Sequence, residues 1–216
     1  MTLNQQSIIN HILDLKIIAI VRLESGEQLV KAAEVLASEG IDVIEFTVPT
    51  PRALEMITRA GEQFGDQIVL GAGTVLDPET ARAAILAGAR FIVTPTLNVD
   101  TIALCKRYGV PVIAGALTPT EILTAWQAGA DLVKVFPASL GGPAYIKAVL
   151  APLPQVRLAP TGGVDAGNAG EYVRLGASAL GIGGNLVNKA AIRRGDWDII
   201  RVEARALKAA VQEVSQ

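Results

Sequence analysis

Two charged residues interrupt apolar runs of the sequence in a way that is typical of reactive side chains. Lys134 lies within DLVKVFP, and Glu45 lies within IDVIEFTV. An ammonium enclosed by apolar residues tends to lose its proton, and a neutral amine can attack a ketone to form a Schiff base. Strand alternation puts Glu45 on one face with Val43 and Thr47, where a carboxylate could move protons next to the amine. The alternatives are a lysine that reaches solvent at its strand end, and a buried salt bridge of Glu45 with Lys134 or Arg22 that has no catalytic role.

Two glycine pairs indicate a site for an anion such as phosphate. Thr161 precedes Gly162 and Gly163, and Gly183 and Gly184 end another apolar run. Backbone N–H groups at glycines can approach phosphate oxygens closely, and a helix N-terminus adds positive potential. Tight turns without any ligand are the alternative explanation for the same glycines.

Further residues at the ends of apolar runs complete the predicted substrate site. Arg22 could hold an anion with its guanidinium, although a solvated surface arginine needs no such explanation. Thr74, which ends GAGT, could bring its hydroxyl close to a small carboxylate, unless this segment is only a tight turn before a helix capped by Asp77. Pro95 and Phe136 are predicted to form apolar walls.

A repeated pattern of helix, glycine and apolar run predicts the elements that position these residues. The glycines sit where helices need a left-handed C-cap, at Gly40, Gly88, Gly109, Gly129 and Gly176. Some further apolar runs are not preceded by a helical stretch and a glycine. With these included, the pattern predicts eight strands, over 16–22, 42–48, 68–73, 90–95, 110–115, 131–136, 156–161 and 178–183. Eight strands alternating with helices predict an α/β fold, a single-domain (β/α)8 TIM barrel over 1–216, with its chemistry at the C-terminal strand ends. A doubly wound sheet is the rival, but no G-x-G-x-x-G follows the first strand.

Several helix ends can also be assigned from the sequence. Ser25 is predicted to cap a helix, with Gln28 completing a capping box. The dipeptides at 77–78 and 118–119 each pair a cap residue with a proline at the first helical position. A final helix is predicted over 199–215.

Composition excludes several classes of protein. The 216 residues include 19 basic and 21 acidic side chains, which give a net charge of −2, and half of the residues are hydrophobic. This balance excludes intrinsic disorder and disfavours a general nucleic-acid binder, which needs a basic surplus against phosphates. One histidine, His11, and one cysteine, Cys105, allow neither an internal disulfide nor a His/Cys zinc site, and they make a Ser-His-Asp triad unsupported. We expect a surface His11 and a Cys105 buried in a helix.

The surroundings of the protein can be predicted in the same way. No apolar run approaches the roughly 18 residues that span a bilayer. The N-terminal segment lacks a basic region followed by an apolar one, so no signal peptide is visible. We therefore expect a cytoplasmic protein without a membrane partner. The mean hydropathy of +0.40 suggests that other subunits cover some apolar surface.

Four motifs resemble, in order and spacing, those of the 2-keto-3-deoxy-6-phosphogluconate (KDPG) aldolase family. They are GAGTV at 71–75, FIVTP at 91–95, KVFPA at 134–138 and PTGGV at 160–164, within a similarity that runs from Ile18 to Val187. The family includes 4-hydroxy-2-oxoglutarate (KHG) aldolases and relatives that act on the phosphogalactonate epimer. The resemblance implies a (β/α)8 barrel, usually a homotrimer, that cleaves aldols through a Schiff base without a metal or an organic cofactor.

The resemblance also implies roles for individual residues. Lys134 would form the Schiff base, Glu45 would transfer protons and Thr74 would bind the substrate carboxylate. Thr161 corresponds to the second threonine of the site. The phosphate would contact Gly162, Gly163, Gly183 and Gly184.

Two positions depart from the pattern of the family and bear on the substrate. Pro49 stands where many members have an arginine four residues after the glutamate, and Arg22 could take over part of that anion recognition. Asn185 stands where the family often has serine, and its amide can still donate to a phosphate.

The resulting prediction is an aldehyde-lyase that cleaves KDPG, a phosphosugar acid, to pyruvate and glyceraldehyde 3-phosphate. Cleavage of KHG, which has no phosphate, and cleavage of 2-keto-3-deoxy-6-phosphogalactonate are the enzymatic alternatives. A non-catalytic phosphosugar-binding or structural shell protein is the alternative of a different class. It would need Lys134 and Glu45 for stability only.

Overall fold

Eight parallel strands form the centre of the protein, whose computed structural model describes residues 4–214. Along the sheet the strands follow the order β7-β6-β5-β4-β3-β2-β1-β8. Their bounds are β1 (Ile17–Val21), β2 (Val43–Thr47), β3 (Val69–Gly73), β4 (Ile92–Val93), β5 (Val112–Ala116), β6 (Leu132–Val135), β7 (Leu158–Pro160) and β8 (Leu180–Ile182). A bridge between Thr161 and Gly181 brings the two ends of this order together, so the sheet is nearly closed into a barrel. The predicted (β/α)8 barrel is therefore confirmed.

Helices surround the barrel, and each parallel crossover contains one of them. Those assigned within residues 4–214 are α1 (Gln5–Leu15), α2 (Gly26–Ser38), α3 (Ala53–Phe64), α4 (Pro78–Leu86), α5 (Val99–Arg107), α6 (Pro119–Gln127), α7 (Gly142–Leu150), α8 (Ala169–Arg174), α9 (Lys189–Arg193) and α10 (Trp197–Gln212). Short 3-10 turns cover Gly65–Gln67 and Ala138–Leu140. In the described chain, no helix has the length and apolar character that crossing a membrane requires.

The apolar core has two parts, one outside and one inside the barrel. The larger part lies between the outward faces of the strands and the surrounding helices, and includes Leu29, Phe46 and Ile92. The smaller part fills the barrel interior toward the N-terminal strand ends, where Val69 and Phe91 meet. The opposite end of the interior is thereby left for polar side chains.

Helix α1 closes the N-terminal end of the barrel. Ile8 and Ile12 of this helix belong to the interior cluster, and Ile12 is fully buried. At its rim, His11 Nε2 lies 2.9 Å from Asp42 Oδ1, at the foot of β2. His11, predicted to lie on the surface, is therefore only half-exposed, because its ring bonds to Asp42.

The strands are shorter than predicted, most clearly at β4, which covers two residues instead of 90–95. Beyond Val93 a side chain replaces part of the ladder, since Gly115 N donates to Thr94 Oγ1 at 2.9 Å. The Thr94 hydroxyl in turn donates to the Thr96 carbonyl at 2.7 Å. Thr94 N still donates to the Ile113 carbonyl at 3.1 Å, and the chain turns out of the sheet after this residue.

The helix-end predictions are confirmed except at α2. The five predicted glycines have positive φ angles between 64° and 105°, and Asp77 and Thr118 cap α4 and α6 through their side chains. Ser25 occupies the N-cap of α2 but makes no capping hydrogen bond, so the predicted capping box with Gln28 is wrong. The backbone is closely packed at the next residue, since a Cβ at Gly26 would lie 2.9 Å from the Pro51 carbonyl oxygen.

Helix α10 covers most of the predicted final helix. It begins at Trp197, two residues earlier than predicted, and ends at Gln212. Residue 215, the last of the predicted helix, lies outside the described residues.

Candidate active site

Lys134 lies at the C-terminal end of the barrel interior. It is the third residue of β6, and its neighbours across the sheet are Gly115 and Ala159. These neighbours are small, so a long side chain can extend between them toward the strand ends. The residue is only 6% exposed, and its Nζ lies 5.4 Å from the centre of the Phe136 ring. An amine enclosed in this way is positioned as a nucleophile for a carbonyl group that enters from the mouth.

Glu45 is buried more deeply than Lys134, with 1% of its surface exposed. Its Oε1 has no hydrogen-bond partner among the described residues. Burial raises the pKa of this carboxyl group, and the positive charges of Lys134 and Arg22 lower the pKa against that effect. The group therefore lies within the electrostatic reach of both cations and can both accept and donate a proton.

Glycines in the barrel wall make room for these side chains. A Cβ at Gly73 would lie 1.5 Å from Glu45 Oε1, and one at Gly115 would lie 2.2 Å from the Pro95 carbonyl carbon. The space beside Gly71 is similarly filled by the ring of Phe91. Close packing therefore requires both glycines of GAGT.

Arg22 and Thr74 are joined by a hydrogen bond across the barrel mouth. Arg22 Nη2 donates to Thr74 Oγ1 at 2.8 Å. Thr74 has a φ of 58°, a left-handed conformation that is uncommon for threonine and that brings its hydroxyl to the arginine. The other guanidinium N–H groups remain for an anion. Arg52, which follows Pro49 in the next loop, donates instead to Glu55.

The loop after β7 presents backbone N–H groups. Gly162 and Gly163 have φ angles of 91° and 83°. Within residues 4–214 the N–H groups of these two glycines and of Gly184 make no hydrogen bond to another residue. Asn168 Nδ2 donates to the Gly163 carbonyl at 2.8 Å and fixes the loop. Successive N–H groups that are free and held in place can bind an anion.

Asn185 connects this loop to the one after β8. Its Nδ2 donates to the Val164 carbonyl at 3.1 Å. One amide hydrogen is thereby used inside the protein, and the second remains for a ligand. The two glycine loops are thus held next to each other.

One cavity of about 530 Å³ unites most of the predicted site residues. Its wall includes Arg22, Pro95, Lys134, Phe136, Thr161, Gly162, Gly163, Gly183, Gly184 and Asn185. Glu45 and Thr74 are not part of the wall, because Glu45 is buried against Gly73 and Thr74 reaches the site through Arg22.

Sequence reasoning missed five residues of the cavity wall. They are Ile20, Val164, Gly181, Val187 and Lys189. Ile20 belongs to a strand whose inward face the alternation identifies, and Val164 directly follows a glycine pair. Lys189 carried no signal, because it lies five residues beyond Gly184 and therefore outside the predicted strand ends.

The remaining candidate residues lie away from the cavity. Cys105 is buried in α5, as predicted, and burial raises the pKa of its thiol to about 12. His11 lies at the opposite end of the barrel. Among residues 4–214 there is no group of three His, Cys, Asp or Glu side chains that could hold a metal ion.

A barrel with a buried lysine and a buried carboxyl group at its mouth has the fold and the side chains of a class I aldolase. The family model described as KDPG and KHG aldolase matches residues 8–202. The chain belongs to this family, which confirms the predicted family and aldolase class.

Individual relatives are similar over most of their length. A 2-dehydro-3-deoxy-phosphogluconate aldolase of Treponema pallidum (strain Nichols) is 40% identical, with 84% of this chain and 87% of the relative covered. A 2-dehydro-3-deoxy-6-phosphogalactonate aldolase of Escherichia coli (strain K12) is 35% identical, with 80% and 84% covered. The crystal structure of KDPG aldolase from Legionella pneumophila, with pyruvate captured at low pH as a covalent carbinolamine intermediate, has a TM-score of 0.85 and 28% identity. The match covers 94% of this chain and 97% of that one.

Proposed function

We propose that this protein cleaves KDPG to pyruvate and glyceraldehyde 3-phosphate through a Schiff base on Lys134. The observation that carries the proposal is the cavity that unites the Lys134 amine with two glycine loops whose N–H groups are free. A keto acid with a phosphate at its far end matches an amine at one end of a cavity and an anion site at the other. Family membership supports the same reaction class.

The first half of the reaction forms the electron sink. The Lys134 Nζ attacks C2 of the keto acid, and a proton moves to the oxygen to give a carbinolamine. Loss of water then leaves a protonated imine between C2 and Nζ. Glu45 assists these proton transfers, directly or through water, because its carboxyl group is held near the amine.

The second half breaks the carbon skeleton. Glu45 removes the proton of the C4 hydroxyl, the C3–C4 bond breaks, and its electron pair moves into the iminium to form an enamine. Glyceraldehyde 3-phosphate leaves as the aldehyde. Protonation of the enamine at C3 and attack of water on C2 release pyruvate and restore the Lys134 amine.

The other cavity residues bind and orient the substrate in this proposal. Arg22 and Thr74 hold the carboxylate next to C2, since their mutual hydrogen bond fixes both at one place. Pro95 and Phe136 form apolar walls, and Thr161 contacts the substrate beside Lys134. The phosphate is held by the backbone N–H groups at Gly162, Gly163, Gly183 and Gly184, together with the Asn185 amide.

The assembly and location of the enzyme belong to the same proposal. We propose a homotrimer, which the exposed apolar side chains of Leu86 and Leu140 support, since Leu140 is 72% exposed. We also propose that it acts in the cytoplasm on a free metabolite. Light scattering of the purified chain tests the trimer.

The test of the reaction combines a product assay with a covalent trap. The wild-type enzyme is supplied with KDPG, its phosphogalactonate epimer and KHG, and pyruvate release is measured for each. KDPG is expected to give the highest kcat/KM. Borohydride reduction in the presence of pyruvate is expected to add one pyruvate, found by mass spectrometry on the Lys134 peptide.

Two variants separate catalysis from stability. Lys134→Ala is expected to remain folded and to lose the adduct and all cleavage, while Lys147→Ala, on the exposed side of α7, keeps both. An adduct that persists in Lys134→Ala, or cleavage of KHG only, would contradict the proposal.

A further inference from the structure

Lys189 brings a third positive charge to the wall of the substrate cavity. It is the first residue of α9, directly after Asn188, whose Oδ1 accepts from Ala191 N at 3.0 Å and caps the helix. The Lys189 side chain lines the same cavity as Gly183, Gly184 and Asn185. Lys189 therefore lies beside the β8 loop at the edge of the cavity, where its side chain is exposed.

The three cationic side chains of the wall differ in what they are free to do. Arg22 donates to Thr74 at 2.8 Å, and in the proposed reaction it holds the substrate carboxylate. Lys134 is consumed as the nucleophile in the proposed reaction. Among the described residues that line the cavity, Lys189 is the remaining cation, and no acidic side chain joins it there.

A carboxylate close to Lys189 is bonded to another cation. Glu24 and Lys189 line one small recess beside the cavity. Arg193, one turn further along α9, donates to both carboxylate oxygens of Glu24 through its Nε and Nη2. Within residues 4–214 the Lys189 amine makes no hydrogen bond or ion pair.

The place of Lys189 in its helix also argues against a purely structural role. A lysine in the first turn opposes the helix dipole, which favours anions at that end. A negative charge close to the amine would offset this unfavourable position. A bound phosphate next to Gly183 and Gly184 would provide that charge.

We propose that Lys189 determines specificity for phosphorylated substrates by pairing with the phosphomonoester dianion held by the glycine loops. This inference rests on the proposed function, and it adds a side chain to the proposed phosphate site. Backbone N–H groups supply directed hydrogen bonds but little net charge, whereas the ammonium neutralises part of the dianion. A substrate without phosphate makes no use of Lys189.

The test compares Lys189→Gln with Lys147→Gln, which removes a lysine from the exposed side of α7. For Lys189→Gln we expect KM for KDPG to rise about tenfold or more, the loss of one charge-assisted hydrogen bond, with kcat within about twofold. Its kcat/KM for KHG is expected to stay within about twofold. The Kd of inorganic phosphate, measured by calorimetry, should rise in parallel, and Lys147→Gln should change none of these values.

The outcomes separate the two proposals. An unchanged KM for KDPG with an unchanged Kd for phosphate overturns the role of Lys189, and so does an equal loss on KHG and KDPG. A wild-type enzyme that cleaves KHG but not KDPG overturns the proposed function. In that case, phosphate binding to the wild type and to Lys189→Gln still decides whether Lys189 belongs to an anion site.

Discussion

Glu45 holds a carboxyl oxygen inside the barrel without a hydrogen-bond partner among residues 4–214. An unpaired buried oxygen of this kind costs stability, and the cost is greatest when the group is ionised. The contact with Gly73 keeps the group fixed, and the charges of Lys134 and Arg22 offset part of the penalty. The Glu45 carboxyl group is thus positioned to exchange a proton, and its burial lowers the stability of the fold.

The raised pKa of Glu45 has a consequence for stability that depends on pH. Burial raises the folded-state pKa above the ordinary 4.5 of the unfolded chain. Between these two values the folded protein holds a proton that the unfolded chain has released, so stability falls as the pH rises through this window. Glu45→Gln is neutral at every pH. We therefore expect its gain in unfolding free energy over the wild type to be larger near about pH 8 than near about pH 5, measured by urea denaturation.

A matched variant identifies the source of this pH dependence. Glu62→Gln removes an exposed carboxylate of α3 and should leave the pH profile of the wild type unchanged. A gain for Glu45→Gln that is equal at both pH values would contradict the raised pKa.

Gly73 controls the position of the Glu45 carboxyl group. In Gly73→Ala the new Cβ would lie 1.5 Å from Oε1, so the carboxyl group must move. We expect kcat for KDPG to fall by about tenfold to hundredfold, a part of what acid–base catalysis contributes. Steady-state assays measure the loss, and circular dichroism checks the fold.

Gly61→Ala is the control for this glycine substitution. Gly61 lies within α3, and a Cβ added there would have open space around it, with no neighbouring atom within 4 Å. Alanine at this position should leave kcat unchanged and increase stability by about 0.5–1 kcal/mol. Equal kcat values for Gly73→Ala and Gly61→Ala would show that the carboxyl group does not need its observed position.

The residues that could be recognised from sequence are those whose chemistry conflicts with their surroundings. Lys134 and Glu45 stand out because each is a charge within a buried apolar strand. Gly73 could be recognised from sequence as part of GAGT. Its contact with Glu45 could not be predicted, because that contact joins two strands. Lys189 could not be found, because only the path of the β8 loop brings it to the cavity.

At the scale of elements, the apolar runs located all eight strands but not their ends. Strand β7 covers Leu158–Pro160 instead of 156–161, and β8 covers Leu180–Ile182 instead of 178–183. Burial and single inter-strand hydrogen bonds, such as that from Thr161 N to the Val135 carbonyl, continue beyond the assigned strands, so hydropathy overestimates strand length. The predicted capping box is wrong because the Ser25 side chain makes no hydrogen bond to the first turn of α2, which the residue types alone could not show.

The β1–α2 loop and α9 are connected by the ion pair of Glu24 and Arg193, and this pair affects the proposed role of Lys189. In Arg193→Gln the Glu24 carboxylate is released beside Lys189 and can pair with its ammonium. We expect KM for KDPG to rise by about two- to fivefold, the scale of one exposed ion pair. Steady-state kinetics with KDPG and KHG measure the effect, which KHG should not show.

A second substitution checks that Glu24 is the cause. Glu24→Gln in the Arg193→Gln background removes the competing carboxylate and should restore the KM of the wild type. A raised KM that persists in the double variant would mean that Arg193 acts in another way.

At the scale of the whole molecule, α1 adds apolar contacts that no other element can replace. Ile12 is fully buried among the interior residues of the barrel. Ile12→Ala should lower the free energy of unfolding by about 2–5 kcal/mol, because it leaves a cavity under the barrel. Urea denaturation measures this change.

Ile12→Val provides the graded comparison and should cost about 0.5–1.5 kcal/mol. KM for KDPG should be unchanged in both folded variants, since the interior cluster separates α1 from the substrate cavity. A loss below about 1 kcal/mol for Ile12→Ala would contradict the closure of the barrel by α1.

The closed N-terminal end of the barrel also determines the order in which the products leave. Because α1 and the interior cluster fill the barrel from below, the substrate cavity opens at the C-terminal strand ends. In the proposed reaction the three-carbon fragment stays attached to the buried Lys134, and the aldehyde fragment lies at the exposed glycine loops, between it and solvent. The aldehyde must therefore depart before pyruvate is released. Run backwards, the same geometry requires pyruvate to arrive first, so the enzyme joins the two fragments in a fixed sequence.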